Sequence, residues 1–294
     1  MGHKLARRVQ ACLQLMRLPN IFTAIADIVA GYLMVRGFAV DWSELAGLVV
    51  ATAGIYGAGC VLNDCCDLEI DRRERPHRPL PAGLVSPRAA LALAIFLFAI
   101  GLVGAYAAGP LSLFLALVIV VLVIVYDTVA KQHDIAGPLV MGGCRGANLL
   151  LGMSPHLAVA LPLLFPLVTF LYIALVTRLS GREISGVVGG RAGAALTGIA
   201  ALVLLVVVLV GRGDMRPAAL VFLAVLVGLT LPALARAMRE QTPAAVQGAV
   251  GALILALPFL DAAYAAAIQG LMAGLVVICC LIPALLVKRL FYVT

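Results

Sequence analysis

The chain of 294 residues is 64% apolar, carries only 12% charged residues and has a formal net charge of +7, with a mean hydropathy of +1.13. Soluble domains carry about 25% charged residues. The composition therefore excludes a soluble enzyme with a single anchor, a disordered chain and a disulfide-stapled secreted fold. The apolar runs are continuous and do not alternate, which argues against a membrane β-barrel. The sequence predicts an all-α polytopic membrane protein.

Ten apolar segments follow one another along the chain, each close to the length of about 20 residues that a transmembrane helix requires. Their abundance of Gly, Ala and Val favours close packing between helices in lipid. Pro258 and Asp261 interrupt the last two segments, so these two could also form one broken element. No long linker separates the segments, and we expect a single domain over residues 1–294. The predicted segments are 18–36, 44–64, 88–107, 111–128, 136–153, 159–179, 191–211, 216–235, 244–263 and 267–287.

The basic residues lie mainly on one side of these segments. If the N-terminus is cytoplasmic, 17 of the 21 Lys and Arg residues fall on that side and three on the other. The positive-inside rule then places the longest polar stretch, residues 63–88, in the cytoplasm. Because the charges sit in short loops and the chain has one Trp, we expect no nucleic-acid partner.

The polar stretch begins with closely spaced acidic residues at the end of the second apolar segment. Asp64, Asp67 and Asp71 are three and seven residues apart, which places them on one face of a continuous helix, with Asn63 at its edge. Carboxylates so close repel each other unless a cation binds, and oxygen ligands suit Mg²⁺ completed by phosphate oxygens. The position at the end of an apolar span indicates a ligand with a charged head and an apolar tail. The alternative is a solvated charged loop.

These motifs resemble those of a known family. The pattern Asn-Asp-x-x-Asp-x-x-x-Asp at 63–71, followed by Arg-Pro-Leu-Pro-Ala-Gly at 78–83, resembles the first signature of UbiA-type intramembrane prenyltransferases. The resemblance implies nine spans around a central cavity open to lipid, a polyprenyl diphosphate donor, a polar acceptor and Mg²⁺. Supporting similarities are Arg17-Leu18-Pro19-Asn20, Tyr126-Asp127 with Lys131, and Arg145-Gly146 with Asn148.

The second acidic motif of that family is reduced here. Residues 177–186 carry one acid, Glu183, directly after Arg182 and five residues after Arg178. This departure resembles the EboC-like branch of the superfamily, which is associated with cyclitol-like or sugar-like metabolites. Glu183 would be the one local ligand for a second Mg²⁺. The two arginines could supply positive charge to the diphosphate in its place, although ordinary positive-inside topology also explains them.

The resemblance and the spacing together assign roles to the polar residues. Asn63 and the three aspartates would hold Mg²⁺, while Arg72, Arg78 and Lys131 would clamp the diphosphate. The loop 72–88 would close over the head group and exclude water. The full predicted set is Asp64, Asp67, Asp71, Lys131 and Glu183 as catalytic residues, and Asn20, Asp27, Asn63, Arg72, Arg78, Tyr126, Arg145, Asn148, Arg178 and Arg182 as substrate-binding residues.

The acceptor side is marked by polar residues within the spans. Asn20, Thr23 and Asp27 form a polar stripe on the first span, and such residues face a bundle interior or a wet cavity. Asp27 could act as a general base for a hydroxyl acceptor, or it could be a hydrogen-bonded interior carboxyl. Arg145 and Asn148 form a second polar patch, for which interhelical pairing is the alternative.

Three functions are compatible with the sequence. The leading one is transfer of a polyprenyl group from its diphosphate to an aromatic acid, a glycerol phosphate or a cyclitol-like polyol. The second uses the same fold to transfer a phosphoribosyl or glycosyl group to a polyprenyl phosphate. The third is a non-catalytic lipid-handling membrane protein. The resemblance also suggests the bacterial inner membrane, with the active-site loops on its cytoplasmic face.

Overall fold

The computed structural model describes residues 2–157, 163–181, 189–213 and 215–291, and throughout these ranges the regular elements are helical. Two 3₁₀ turns, Ala130–Gln132 and Ser154–His156, follow the sixth and seventh α-helices. The predicted all-α fold is confirmed. The α-helices are α1 (Gly2–Leu15), α2 (Leu18–Arg36), α3 (Trp42–Cys66), α4 (Leu68–Glu74), α5 (Pro87–Ala108), α6 (Pro110–Thr128), α7 (Ala136–Met153), α8 (Leu164–Ser180), α9 (Gly189–Gly211), α10 (Ala219–Glu240), α11 (Pro243–Gln269), α12 (Leu271–Cys279) and α13 (Leu281–Phe291).

Several of the long helices begin at a capping side chain. Asp41 accepts hydrogen bonds from the backbone of Ser43 and Glu44 at the start of α3. Ser86 and Thr242 cap α5 and α11 in the same way, each followed by a proline in the first helical turn. Such caps satisfy backbone donors that have no partner within the helix. The sequence therefore marks where these helices start.

Six helices are long and apolar enough to cross a membrane, by length and composition: α2, α3, α5, α6, α10 and α11. Shorter apolar helices lie within 164–180, 196–209 and 271–287. Large apolar side chains on α5 and α6 point outward; Phe96, Val103 and Phe114 are at least 60% exposed. An apolar outer surface of this kind suits contact with lipid tails rather than with water.

Each of the ten predicted apolar segments overlaps a helix, but the division between the last two differs from expectation. Helix α11 runs without a break through Pro258 and Asp261 and ends at Gly270, whose φ of +94° favours glycine. Gly274 then packs against the Ala262 carbonyl, so the chain folds back on itself after Gly270. The two segments are thus separate: α11 accounts for the first, and the second contains α12 and most of α13. The number of membrane spans, nine or ten, stays a prediction.

Small residues let neighbouring helices approach closely. A Cβ atom added at Gly142 on α7 would lie 2.5 Å from the Phe170 carbonyl oxygen on α8, and one at Gly54 on α3 would lie 2.7 Å from the Leu97 carbonyl oxygen on α5. Those separations are too short for a side chain. In lipid, where apolar burial does not drive helix association, such close backbone packing is a principal source of stability.

Cross-helix contacts show which helix ends lie together. Thr23 on α2 contacts Arg145 on α7, and further along both helices Gly31 packs against Gly152, so the two helices run parallel. Arg17, just before α2, pairs with Asp64 in the last turn of α3. The starts of α2 and α7 and the end of α3 therefore share one end of the bundle. We call it the polar end.

The close contact between α7 and α8 can be tested at two adjacent glycines. Gly142→Ala should lower the melting temperature in detergent, because its Cβ would meet the Phe170 carbonyl, and overpacking of this kind costs about 1–3 kcal/mol. Gly143→Ala is the matched control, since its Cβ would lie 3.5 Å from the flexible Leu122 side chain. Equal melting temperatures for the two variants would contradict the packing described here.

Candidate active site

The three predicted carboxylates lie at the polar end, but not on one continuous helix. Helix α3 ends at Cys66, and Asp67, with φ −92° and ψ 6°, joins it to the short helix α4. Asp64 therefore belongs to the last turn of α3, Asp67 to the junction, and Asp71 to α4. The expectation of one continuous helix through the three carboxylates is therefore wrong.

Arg78 joins two of these carboxylates. Its Nη1 atom lies 2.7 Å from Asp71 Oδ2 and 3.6 Å from Asp64 Oδ1. Arg75 Nη1 lies 3.8 Å from the other oxygen of Asp71. Both carboxylates are almost fully buried, and a buried charge requires a partner. The loop after α4 thus folds back to place its arginines over the end of α3.

The third carboxylate pairs with a residue 64 positions away. Lys131, in the 3₁₀ turn after α6, places its Nζ atom 2.6 Å from Asp67 Oδ1. Beside this pair, the Asn63 side-chain amide donates to Asp127 Oδ1 at 2.9 Å. Residues predicted separately from the first motif and from the end of α6 are therefore neighbours in space.

Two site residues were not among those predicted. Arg17 Nη2 lies 3.1 Å from Asp64 Oδ1, and the residue has a φ of +49°, which is uncommon for a non-glycine residue. Burial would lower the pKa of its guanidinium, but the surrounding Cys60, Asp64 and Tyr56 raise it above its ordinary value. Asp127 is the second, through its bond to Asn63. Both lie inside the quoted motifs, but neither is among the predicted catalytic, binding or metal residues.

Opposite charges balance within this group. The carboxylates of Asp64, Asp67 and Asp71 each have at least one basic partner, and Asp127 accepts a hydrogen bond from Asn63. Among the described residues, no three acidic, histidine or cysteine side chains lie close enough to hold a metal ion on their own. The donor atoms still fit Mg²⁺ in kind, since all are carboxylate or amide oxygens and Mg²⁺ retains water and phosphate ligands.

Other predicted site residues lie outside this group of charges. Arg72 is half-exposed and pairs with the exposed Glu69, three residues earlier on α4. Tyr126 is half-buried next to Asp127, and the carbonyl of Asn20 accepts a hydrogen bond from Thr23. Arg178 lies in the last turn of α8, whereas Arg182 and Glu183 fall outside the described residues.

A second polar cluster lies deeper, between α2, α3 and α7. Asn148 donates to Asp27 Oδ2 at 2.8 Å and accepts from Thr52 at 2.7 Å. Arg145 Nε lies 2.7 Å from the same Asp27 oxygen without hydrogen-bond alignment, and its Nη2 donates to the Thr23 carbonyl at 2.6 Å. Asp27 is fully buried and engaged by α7. Its role as a general base stays a prediction.

Comparison with known proteins identifies the family to which this chain belongs. The description of the UbiA prenyltransferase family matches residues 24–249. The chain belongs to the UbiA prenyltransferase family. With its apolar helices it is accordingly an integral membrane protein, as its composition predicted. The more specific similarity to the EboC-like branch stays a prediction.

Named relatives and solved structures extend the comparison. Digeranylgeranylglyceryl phosphate synthase of Metallosphaera sedula is 33% identical over 145 residues, covering 49% of this chain and 51% of that protein. The enzyme of the same name from Methanoculleus marisnigri is 32% identical, covering 64% and 67%. The chain thus spans about half the length of the first of these relatives. A UbiA homologue from Archaeoglobus fulgidus, bound to DMAPP and Mg²⁺, superposes with a TM-score of 0.67 at 16% identity over 91% of this chain and 99% of that one.

The ion pair between Asp67 and Lys131 can be measured with a double-mutant cycle. Asp67→Asn and Lys131→Met should each destabilise the protein in detergent, and the double variant should lose less than their sum. We expect a coupling energy of about 0.5–3 kcal/mol for these half-buried partners.

The exposed pair between Glu69 and Arg72 is the control for this cycle. Glu69→Gln with Arg72→Met should give a coupling energy of at most about 1 kcal/mol, since solvent screens exposed charges. A larger coupling energy for this exposed pair than for Asp67 and Lys131 would contradict the described geometry.

Proposed function

We propose that this protein is a Mg²⁺-dependent intramembrane prenyltransferase, acting as a single domain, that moves a polyprenyl group from its diphosphate to a glycerol-phosphate acceptor. The observation that carries the proposal is the meeting of Asp64, Asp67 and Asp71 with basic residues from three other segments at the polar end of an apolar bundle. A ligand with a charged head and a long apolar tail matches that setting. The names of the relatives and the DMAPP and Mg²⁺ bound by the A. fulgidus homologue support it.

The donor set favours a hard divalent cation. Asp64, Asp67 and Asp71, with Asn63, would hold Mg²⁺, and Glu183 would be the ligand for a second ion. When bound, Mg²⁺ supplies positive charge to the diphosphate oxygens. The shell would be completed by water and by the diphosphate itself, so a closed cage of protein ligands would not be required.

The basic side chains are placed for an exchange of partners. Arg17, Arg78 and Lys131 now neutralise carboxylates. When a diphosphate enters, these side chains can turn to its oxygens, while the carboxylates become available to a divalent ion. Every buried charge then keeps a partner before and after binding. Charge-assisted hydrogen bonds from Arg and Lys stabilise the negative charge that collects on the leaving diphosphate.

We expect the loop between α4 and α5 to cover this site. Hydrogen bonds from Ala82 N to Arg78 O and from Leu84 N to Pro79 O fold it into successive turns. Leu80 and Val85 are buried in one apolar cluster together with Ala11 and Leu15 of α1. The anchored loop holds Arg78 over the carboxylates, and it would limit access of water, which otherwise captures an allylic cation.

The names of the relatives bear on the acceptor, and the basic residues bear on the orientation. An aromatic acid or a cyclitol-like polyol would need the same donor site, and the relatives' names favour glycerol phosphate. Asn20, Tyr126, Arg145, Asn148, Arg178 and Arg182 remain proposed substrate-binding residues. By the positive-inside rule, the distribution of basic residues supports a cytoplasmic position for the polar end.

A product assay tests the proposal and separates the alternatives. Purified protein in lipid nanodiscs receives labelled geranylgeranyl diphosphate and geranylgeranylglyceryl phosphate. We expect a doubly prenylated lipid whose formation stops when Mg²⁺ is chelated. Labelled phosphoribosyl diphosphate with a polyprenyl phosphate is the second arm, and product there alone would replace the proposed reaction. No product in either arm, with an intact fold, would favour a lipid-handling role.

The role of Asp67 can be tested within this assay. Asp67→Asn should lower turnover by about 10²- to 10³-fold, because it removes a negative ligand of the diphosphate-bound cation. Its side chain makes no helix-capping hydrogen bond, so the fold should survive. Glu69→Gln is the matched control two residues away on the exposed side, and it should turn over normally. Near-normal turnover of Asp67→Asn would remove Asp67 from the site.

The two predicted arginine clamps should differ in effect. Arg78→Gln should weaken binding of a non-reactive prenyl diphosphate analogue by about 10- to 100-fold, as expected for loss of a charged hydrogen bond. Arg72→Gln should bind almost normally, because Arg72 points to the exposed Glu69. Titration calorimetry with Mg²⁺ present gives both values. A larger loss for Arg72→Gln would mean that α4 presents its other face to the donor.

A further inference from the structure

Two acidic residues lie side by side inside the helix bundle, apart from the proposed metal site. Asp27 on α2 and Asp261 on α11 are both 0% exposed. The two helices pack against each other, and the two carboxyl groups interact directly. An ionisable residue within a membrane-spanning bundle is costly, and it persists where it has a partner. Packing alone does not explain why two carboxyl groups are buried next to each other.

The pair has more acceptor atoms than donors. Asp27 Oδ2 accepts a hydrogen bond from Asn148 Nδ2 and lies beside Arg145 Nε. In contrast, Asp27 Oδ1 and both oxygens of Asp261 have no hydrogen-bond partner. Three buried oxygens are thus without a donor. A buried acceptor that loses water and gains no donor is strongly unfavourable. One additional hydrogen between the two carboxyls would satisfy two of these atoms at once.

The charges around the pair lead to the same conclusion. With both carboxyls ionised, Arg145 is the one cation facing them among the described residues, and a net negative charge remains. The other titratable groups that face the pair or its arginine are Tyr56 on α3, Tyr172 on α8, Tyr264 on α11 and Cys280 after α12. These groups are neutral at ordinary pH. Two adjacent carboxylates in a dry interior do not both ionise.

We propose that Asp27 and Asp261 form a proton-binding site, in which Asp261 carries one proton and donates it in a hydrogen bond to Asp27 Oδ1. Asp27 remains ionised and paired with Arg145. The cluster is then electrically neutral. The bound proton joins α11 to α2 and, through Asn148 and Arg145, to α7. A sodium ion in the same place would need a fuller shell of oxygens than the three that are unpartnered.

The site has a consequence for Asp27. A carboxylate that already accepts a hydrogen bond from Asp261, another from Asn148 and the charge of Arg145 is a weak base. Asp27 then serves to position Arg145 on α7 rather than to remove a proton from an acceptor. This assignment does not depend on the proposed prenyl transfer, because it concerns the resting bundle without substrate.

Infrared spectroscopy of the protein in lipid nanodiscs tests the site directly. We expect the wild type to show a protonated-carboxyl C=O band at neutral pH that shifts on exchange into D₂O. Asp261→Asn should lose that band and keep the fold, because its amide NH₂ can replace the donor to Asp27. Asp134→Asn, in the exposed loop before α7, is the control and should retain the band. Retention of the full band in Asp261→Asn would overturn the proposal.

The pH dependence of stability gives a second, independent readout. A carboxyl exposed in the unfolded chain loses its proton near about pH 4, whereas the folded pair keeps one proton to higher pH. The folded state therefore binds more protons, and stability falls as pH rises through this interval, with the unfolding constant increasing tenfold per pH unit for one proton. Asp261→Asn should lack this slope. A wild-type stability that follows Na⁺ concentration at fixed pH would instead identify a sodium site and overturn the proton assignment.

Discussion

The pairing of charges without help from bulk water is the constraint on which the rest of the structure depends. At the polar end, the bend at Asp67 distributes carboxylates between Arg78 and Lys131, two partners that come from different parts of the chain. Deeper in the bundle, Arg145 meets Asp27. In each place a residue from one helix completes the charge of another, so the ion pairs also determine how the helices are arranged.

Much of the fold could be predicted because hydropathy reports span length directly. The long apolar runs predicted helices where α2, α3, α5 and α6 lie, and a capping Asp, Ser or Thr marked several starts. The break between the last two segments was predicted between residues 263 and 267 and lies a few residues later, while Pro258 lies within α11, as a proline in a bundle can. Gly270, with its positive φ, follows the last residue of α11. Because the sequence contains many glycines, it does not reveal which of them ends a helix.

The candidate site could be predicted by residue type and motif but not by local geometry. Helical spacing grouped the three aspartates correctly at one end, yet the bend at Asp67 was invisible to it. The spacing also could not tell that Arg78 faces inward while Arg72 faces Glu69, since both follow the same motif. Long-range pairs such as Arg17 with Asp64 depend on how helices pack, and a single sequence carries no direct record of that.

The N-terminal helix α1 supports the loop between α4 and α5 through apolar packing. Ala11 and Leu15 share an apolar cluster with Leu80 and Val85, so α1 lies under the loop that carries Arg78. The position of that arginine is consequently tied to where α1 rests, and a displacement of α1 would be transmitted to it through side-chain contact. If Arg78 binds the diphosphate as proposed, the packing of α1 against this loop would therefore affect how the site holds its ligand.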